Sequence, residues 1–145
     1  MRVEAFLDLA ASPERVWSSI ERWEEQSRWI RDAVWVRLLT PERAGVGTRI
    51  EVLNRVLRVP LFTEELEVVA WEPPRMMAMA HRSFVRGTGN WSLEPVDGST
   101  RFTWTEELSL PIPVLGELAL LVYRPFLRGQ MRRSLANLQR LVASA

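Results

Sequence analysis

Four polar side chains stand where the sequence would otherwise continue an apolar strand face, and these residues have the most chemistry to offer. In "RFTWTEELSL", alternation puts Phe102, Trp104, Glu106 and Leu108 on one side of a strand. The same alternation carries Glu64 with Leu66, Val68 and Ala70, His81 with Met77 and Met79, and Asn54 with Ile50 and Val52. Histidine is the side chain whose ordinary pKa suits proton transfer near neutrality, and glutamate in apolar surroundings is another common base. His81 or Glu106 could therefore act as a general base toward a carbonyl compound, with Asn54, Tyr123 or an arginine polarising the oxygen. A purely structural reading competes with this one. Glu64 and Glu106 would end their strands on reaching water, since glutamate is rarely buried unpaired. Alternatively, Glu106 would pair with Arg124, Arg128, Arg132 or Arg133 of the C-terminal segment.

Composition removes several other chemistries. The chain has no cysteine and, because every one of its 19 basic residues is arginine, no lysine. Thiol nucleophiles, Cys-ligated metals, lysine Schiff bases and P-loop nucleotide sites are thereby excluded. His81 is the single histidine and cannot build a three-ligand metal site without carboxylates arranged around it, so no metal and no cofactor is expected. No serine lies in a G-x-S-x-G context, and "RGTGN" sits between strands rather than before a helix, so it does not read as a phosphate loop. The net charge of +1 gives no bulk attraction to nucleic acid, and the basic patch "RGQMRR" lacks interleaved aromatic residues, so no nucleic-acid partner is expected. Glu4 and Asp8 interrupt the start of the chain where a signal peptide needs apolar residues, and no stretch reaches the ~20 apolar residues of a membrane span. The expected location is cytoplasmic.

The elements that must position these residues follow from period and punctuation. "RVEAFLDLA" alternates as a half-buried strand, and Ser12 and Pro13 mark the cap and first position of one or two short helices through Trp29. Turn signals at "PERAGVG", "EPP" and "VDGS" then divide residues 34–110 into six strands, with "RVPLF" read as a loop. From Leu118 to the terminus a long amphipathic helix is expected, with Leu121, Leu127 or Arg128, Met131, Leu135, Leu138 and Val142 near one face and a kink or break at Pro125, helped by Gly129. With no repeat or linker, residues 1–145 read as one domain of α+β class, a curved antiparallel sheet with a helix across its concave face.

"ASPERVWSSIERWEEQSRWI", "GVGTRI", "EVVAWEPPRMMAMAH" and above all "GTGNWSLEPVDGSTRFTWTEE" resemble the START-like helix-grip superfamily (SRPBCC), in its polyketide cyclase/dehydrase-like branch. The resemblance implies a seven-stranded sheet wrapped around the C-terminal helix. It also implies a cavity for lipids, polyketides or other apolar molecules, in a family where some members are cyclases and many only bind or carry.

In this chain the cavity would be lined by Asn54, Glu64, Met77, Met79, Trp91, Trp104, Tyr123 and Phe126, and entered near "RVPLF" and "LPIPVLG". Binding or transport of a small hydrophobic or amphipathic molecule is the preferred expectation. A cyclase or dehydratase using His81 or Glu106 is the alternative. A homodimer is compatible with the sequence, and the "LPIPVLGELALLVYRPF" segment would be the surface for any docking partner.

Overall fold

The computed structural model describes residues 1–143. Its elements run β1 (Arg2–Leu9), α1 (Pro13–Ile20), a 3-10 helix (Trp23–Arg28), β2 (Ala33–Leu38), β3 (Arg49–Val56), β4 (Val59–Glu72), β5 (Met76–Arg82), β6 (Arg86–Val96), β7 (Ser99–Ser109) and α2 (Leu115–Ala143). Ser144 and Ala145, the end of the expected helix, lie outside the described residues. The strands form one antiparallel seven-stranded sheet in the order β1-β7-β6-β5-β4-β3-β2, with α2 packed against β1 and β7. This is the α+β helix-grip arrangement.

Local chemistry accounts for most boundaries. The Ser12 hydroxyl accepts from the Arg15 backbone N–H at 3.2 Å and Pro13 opens α1, whose Val16, Trp17 and Ile20 are buried. Arg15 donates through Nε to the Val142 carbonyl at 2.9 Å, placing a cation on the open end of α2. Asp97 and Gly98 both take positive φ, the type I′ geometry that fits the twist of the β6–β7 hairpin. Pro73 and Pro74, joined by a cis peptide bond, turn the chain between β4 and β5.

Four expectations need correction. "RVPLF" is no loop: β4 starts at Val59, and the reversal is made by Leu57 and Arg58, both at positive φ, so the chain is extended again by Pro60. A bulge between Val68 and Ala70 puts Val69 out to solvent and ends the simple alternation assigned to Ala70. The last helix starts at Leu115, earlier than its periodicity suggested, and continues through Pro125 as one element instead of breaking there. Leu120, three turns before Met131 on the 3.6-residue period, is buried, and Leu121 is exposed.

The packed part of the core lies where α2 meets β1, β6 and β7. Met131, Leu135, Leu138 and Val142 are buried there with Leu9, Leu93 and Phe102. Trp29 is buried among Trp91, Phe102 and Trp104, with ring centroids 5.2–6.2 Å away and tilted or edge-on, the favoured aromatic geometry.

Candidate functional site

Beyond this packed region the sheet and α2 diverge around a cavity of about 730 Å³, within the range of small-molecule sites. Its walls are mostly apolar, with Val36, Val52, Leu66, Met77, Met79, Trp91 and Leu108 from the sheet and Leu120, Leu127 and Met131 from α2. Leu61 and Phe84 belong to the lining and are exposed, so the cavity reaches the surface beside the ends of β4 and β5. Leu110, from "LPIPVLG", lines it as well.

On the sheet side the polar residues singled out by alternation converge. His81 sits between two carboxylates, with Nε2 2.9 Å from Glu106 Oε2 and Nδ1 3.4 Å from Glu64 Oε2. The second oxygen of Glu106 accepts from the Trp104 indole N–H at 2.9 Å. All three ionisable side chains are about nine-tenths buried, at 10%, 10% and 12% exposure for His81, Glu64 and Glu106. The carboxylates have therefore not reached water, and Glu106 pairs with His81, not with an arginine of α2.

Geometry explains how this cluster can form. His81 on β5 and Glu106 on β7 are separated by β6, and adjacent strands lie ~4.8 Å apart, so their backbones are about 10 Å from each other. The β6 residues between them are Gly87, opposite His81 and Leu108, and Gly89, opposite Met79 and Glu106. A Cβ on Gly89 would stand 2.8 Å from both Glu106 carboxylate oxygens, and one on Gly87 would stand 1.8 Å from the Glu107 carbonyl oxygen. The two glycines leave a bare strip across which imidazole and carboxylate meet. "RGTGN", dismissed as a phosphate loop, was the sequence signal for this strip.

Electrostatics then fix the state of the ring. Burial, the largest single influence, pulls the pKa of His81 down, but hydrogen bonds to Glu106 and Glu64 and their charges together outweigh it and raise the pKa to about 10. His81 is an imidazolium at neutral pH, both of its N–H groups directed at carboxylates. In that state the ring has no lone pair with which to take a proton.

A second polar group lies on the helix side. Gln130 of α2 donates to Asp32 Oδ1 at 2.9 Å, and burial raises the Asp32 pKa against the opposing hydrogen bond from Gln130 and the charges of Arg31 and Arg55. Tyr123 also lines the cavity. Burial, followed by the nearby Asp32 charge, lifts its phenol to about 12, so it stays protonated as a hydrogen-bond donor. Asp32 and Gln130 were not among the expected site residues, because nothing in their local spacing marks them. Asn54 reaches the lining as alternation predicted, and its buried Nδ2 has no hydrogen-bond partner.

Asn54, Glu64, Met77, Met79, His81, Trp91, Trp104, Glu106 and Tyr123 are thus all brought to one cavity. Phe126 is the exception. The positions of α2 that line the cavity include Leu120, Tyr123, Leu127, Gln130 and Met131, and Phe126 is not among them, half-buried against Tyr123 with centroids 5.2 Å apart. Among the described residues no cluster of three or more His, Asp and Glu could hold a metal ion, and no helix is long and apolar enough to cross a membrane.

Comparison with known proteins agrees with this architecture. An uncharacterised protein of Mycobacterium tuberculosis is 31% identical over 139 residues, covering 92% of this chain and 80% of its own length. A Thermus thermophilus crystal structure superposes with TM-score 0.81 at 21% identity, covering 99% of this chain and 98% of the other. A Mycobacterium smegmatis START superfamily protein superposes at 0.73 with 14% identity, over 97% and 98% of the two chains. The di-domain aromatase/cyclase StfQ of the steffimycin biosynthetic pathway superposes at 0.78 with 14% identity, over 99% of this chain and 50% of its own. The profile described as polyketide cyclase/dehydrase and lipid transport matches residues 1–143, and the chain belongs to that family.

Proposed function

We propose that this protein binds a small, mainly apolar molecule bearing a polar group, in the cavity between the sheet and α2, as a binder or carrier. The observation that carries this reading is the apolar 730 Å³ cavity with one charged cluster set into its wall. Apolar walls supply affinity by removing ligand surface from water, at roughly 25 cal/mol per Å², while a few fixed polar groups orient the ligand. Met77 and Met79, flexible and polarizable, suit a wall that conforms to its occupant.

Cyclase or dehydratase chemistry is the less favoured reading, because both nitrogens of His81 and both oxygens of Glu106 are already engaged. Native mass spectrometry of the purified protein, organic extraction of whatever it carries, and titration with the neutral fluorophore Nile red test the proposal. A co-purifying apolar compound or saturable uptake of Nile red is the expected result. A clean mass together with no saturable uptake by folded protein would overturn it.

A further inference from the structure

A second recess of about 360 Å³ lies beside the main cavity and shares Ile30, Arg55 and Gln130 with it. Four guanidiniums line it: Arg28 from the end of the 3-10 helix, Arg31 from the turn before β2, Arg55 from β3 and Arg58 from the β3–β4 turn. Gln130 and Asn137 of α2 complete the wall, and among the described residues no carboxylate belongs to the lining. Elsewhere on the sheet arginine is treated differently. Arg37, Arg49, Arg82 and Arg101 each stand beside a glutamate or aspartate of the neighbouring strand.

The amide oxygens that could answer these cations are already taken. Gln130 Oε1 accepts from Arg133 at 3.4 Å and Asn137 Oδ1 accepts from Arg140, so two further arginines stand behind the wall. Arg55 donates through Nη1 to the carbonyls of Arg31 and Ala33 at 3.1 and 3.4 Å. The side chains of Arg31 and Arg58 have no hydrogen bond or ion pair among the described residues. Glu25, 3.3 Å from Arg28, and Asp32, within the field of Arg31 and Arg55, offset two of the four lining charges. The other two have no counter-charge.

We propose that this recess is an anion site for a phosphate monoester group. The planar guanidinium fork matches phosphate oxygens, each fork meeting two of them through parallel N–H groups. A phosphate monoester carries a charge of about −1.5 to −2 at pH 7, which balances the surplus of the recess, whereas a carboxylate supplies about half of it. Through Ile30, Arg55 and Gln130 the site adjoins the apolar cavity, so the phosphate is either the head of an amphiphile lodged there or part of a separate solute.

Calorimetric titration at pH 7.5 and low ionic strength with methyl phosphate, acetate and dodecyl phosphate, the last below micelle formation, tests the site. Methyl phosphate is expected to bind about tenfold more tightly than acetate, and added salt should weaken it. The double variant Arg31→Gln/Arg58→Gln should lose about tenfold in methyl phosphate affinity, while Arg101→Gln, on the far edge of the sheet, should stay within about twofold of the parent. Dodecyl phosphate binding more tightly than methyl phosphate, and displacing Nile red, would support the site as the holder of an amphiphile's head. Equal binding of the two phosphates with Nile red retained would support it as a site for a separate phosphate ester. Acetate binding as tightly as methyl phosphate, no binding of either phosphate, or binding that the double variant leaves intact overturns the proposal. None of these three results touches the uptake of Nile red on which the binding reading stands.

Discussion

The two ends of α2 cross the same sheet and meet opposite surroundings. From Met131 to Val142 the helix drives Met131, Leu135, Leu138 and Val142 into the tryptophan-lined core, while from Leu115 to Val122 most of its large side chains lie in water, Val122 at 80% exposure. The sheet changes in step. Opposite the buried end β6 and β7 supply Trp91, Leu93 and Phe102, and at the other end they supply Gly87, Gly89 and Glu106. A cavity here is therefore encoded in the strands as much as in the helix: side-chain volume is withdrawn from β6, and what remains is charged.

The contrast is sharpest for large-to-small substitutions. Leu138→Ala, at a fully buried position, is expected to cost about 3 kcal/mol in urea unfolding, and Leu120→Ala, at the cavity wall, about 1 kcal/mol, because a residue already facing a void leaves little new cavity behind. Equal losses would mean the cavity is filled in solution.

Next in size is a pH effect confined to the hollow end. Unfolded His81 titrates near its ordinary 6.5 and folded His81 at about 10, so the native state holds a proton that the unfolded chain releases in between. This stabilisation is complete below pH 6.5 and is lost as the pH rises to about 10. Urea midpoints at pH 6 and pH 9.5 should show the decline, and Glu106→Gln should flatten it. A midpoint that holds steady over this range contradicts the buried imidazolium.

Amide exchange offers a smaller contrast along the helix itself. Residues 115–126 should exchange at least tenfold faster than residues 131–142, since exposure and the hydrogen bond removed by Pro125 both weaken the first turns. Uniform protection would erase the distinction between the halves.

The smallest expected change is the most local. Gly89→Ala places a methyl group against the Glu106 carboxylate, at a cost of about 1 kcal/mol, and should lower the His81 pKa by loosening its nearer partner. Because His81 is the single histidine, its ring protons report this by NMR without assignment ambiguity.

Much of this was legible in the sequence, and the reasons differ by residue. Alternation carried Asn54, Glu64, His81 and Glu106 to one face, because period two is a property of the strand alone. That His81 would lie between the two glutamates was not legible, since it depends on register across β4 to β7 and on two side chains that are missing from β6. Solvent and α2 arginines were the competing partners for Glu106, and nothing local distinguished them from an imidazole two strands away. Asp32 and Gln130 escaped for the same reason: the pair joins the turn before β2 to a helix far along the chain. Leu121 was expected on the buried face and Leu120 takes that place, because Leu120 is the residue three turns before Met131.

Trp104 has a consequence of another kind. Its indole N–H is tied to Glu106 at the cavity wall, while its ring stands 5.8 Å from that of Trp91 and 6.1 Å from that of Trp29. The three chromophores share excitation at such distances, and one of them is wired to the charged wall. The molecule therefore carries its own optical gauge: a ligand that redraws the field around Glu106 shifts the emission of the whole cluster, and occupancy can be followed by ultraviolet light without any label.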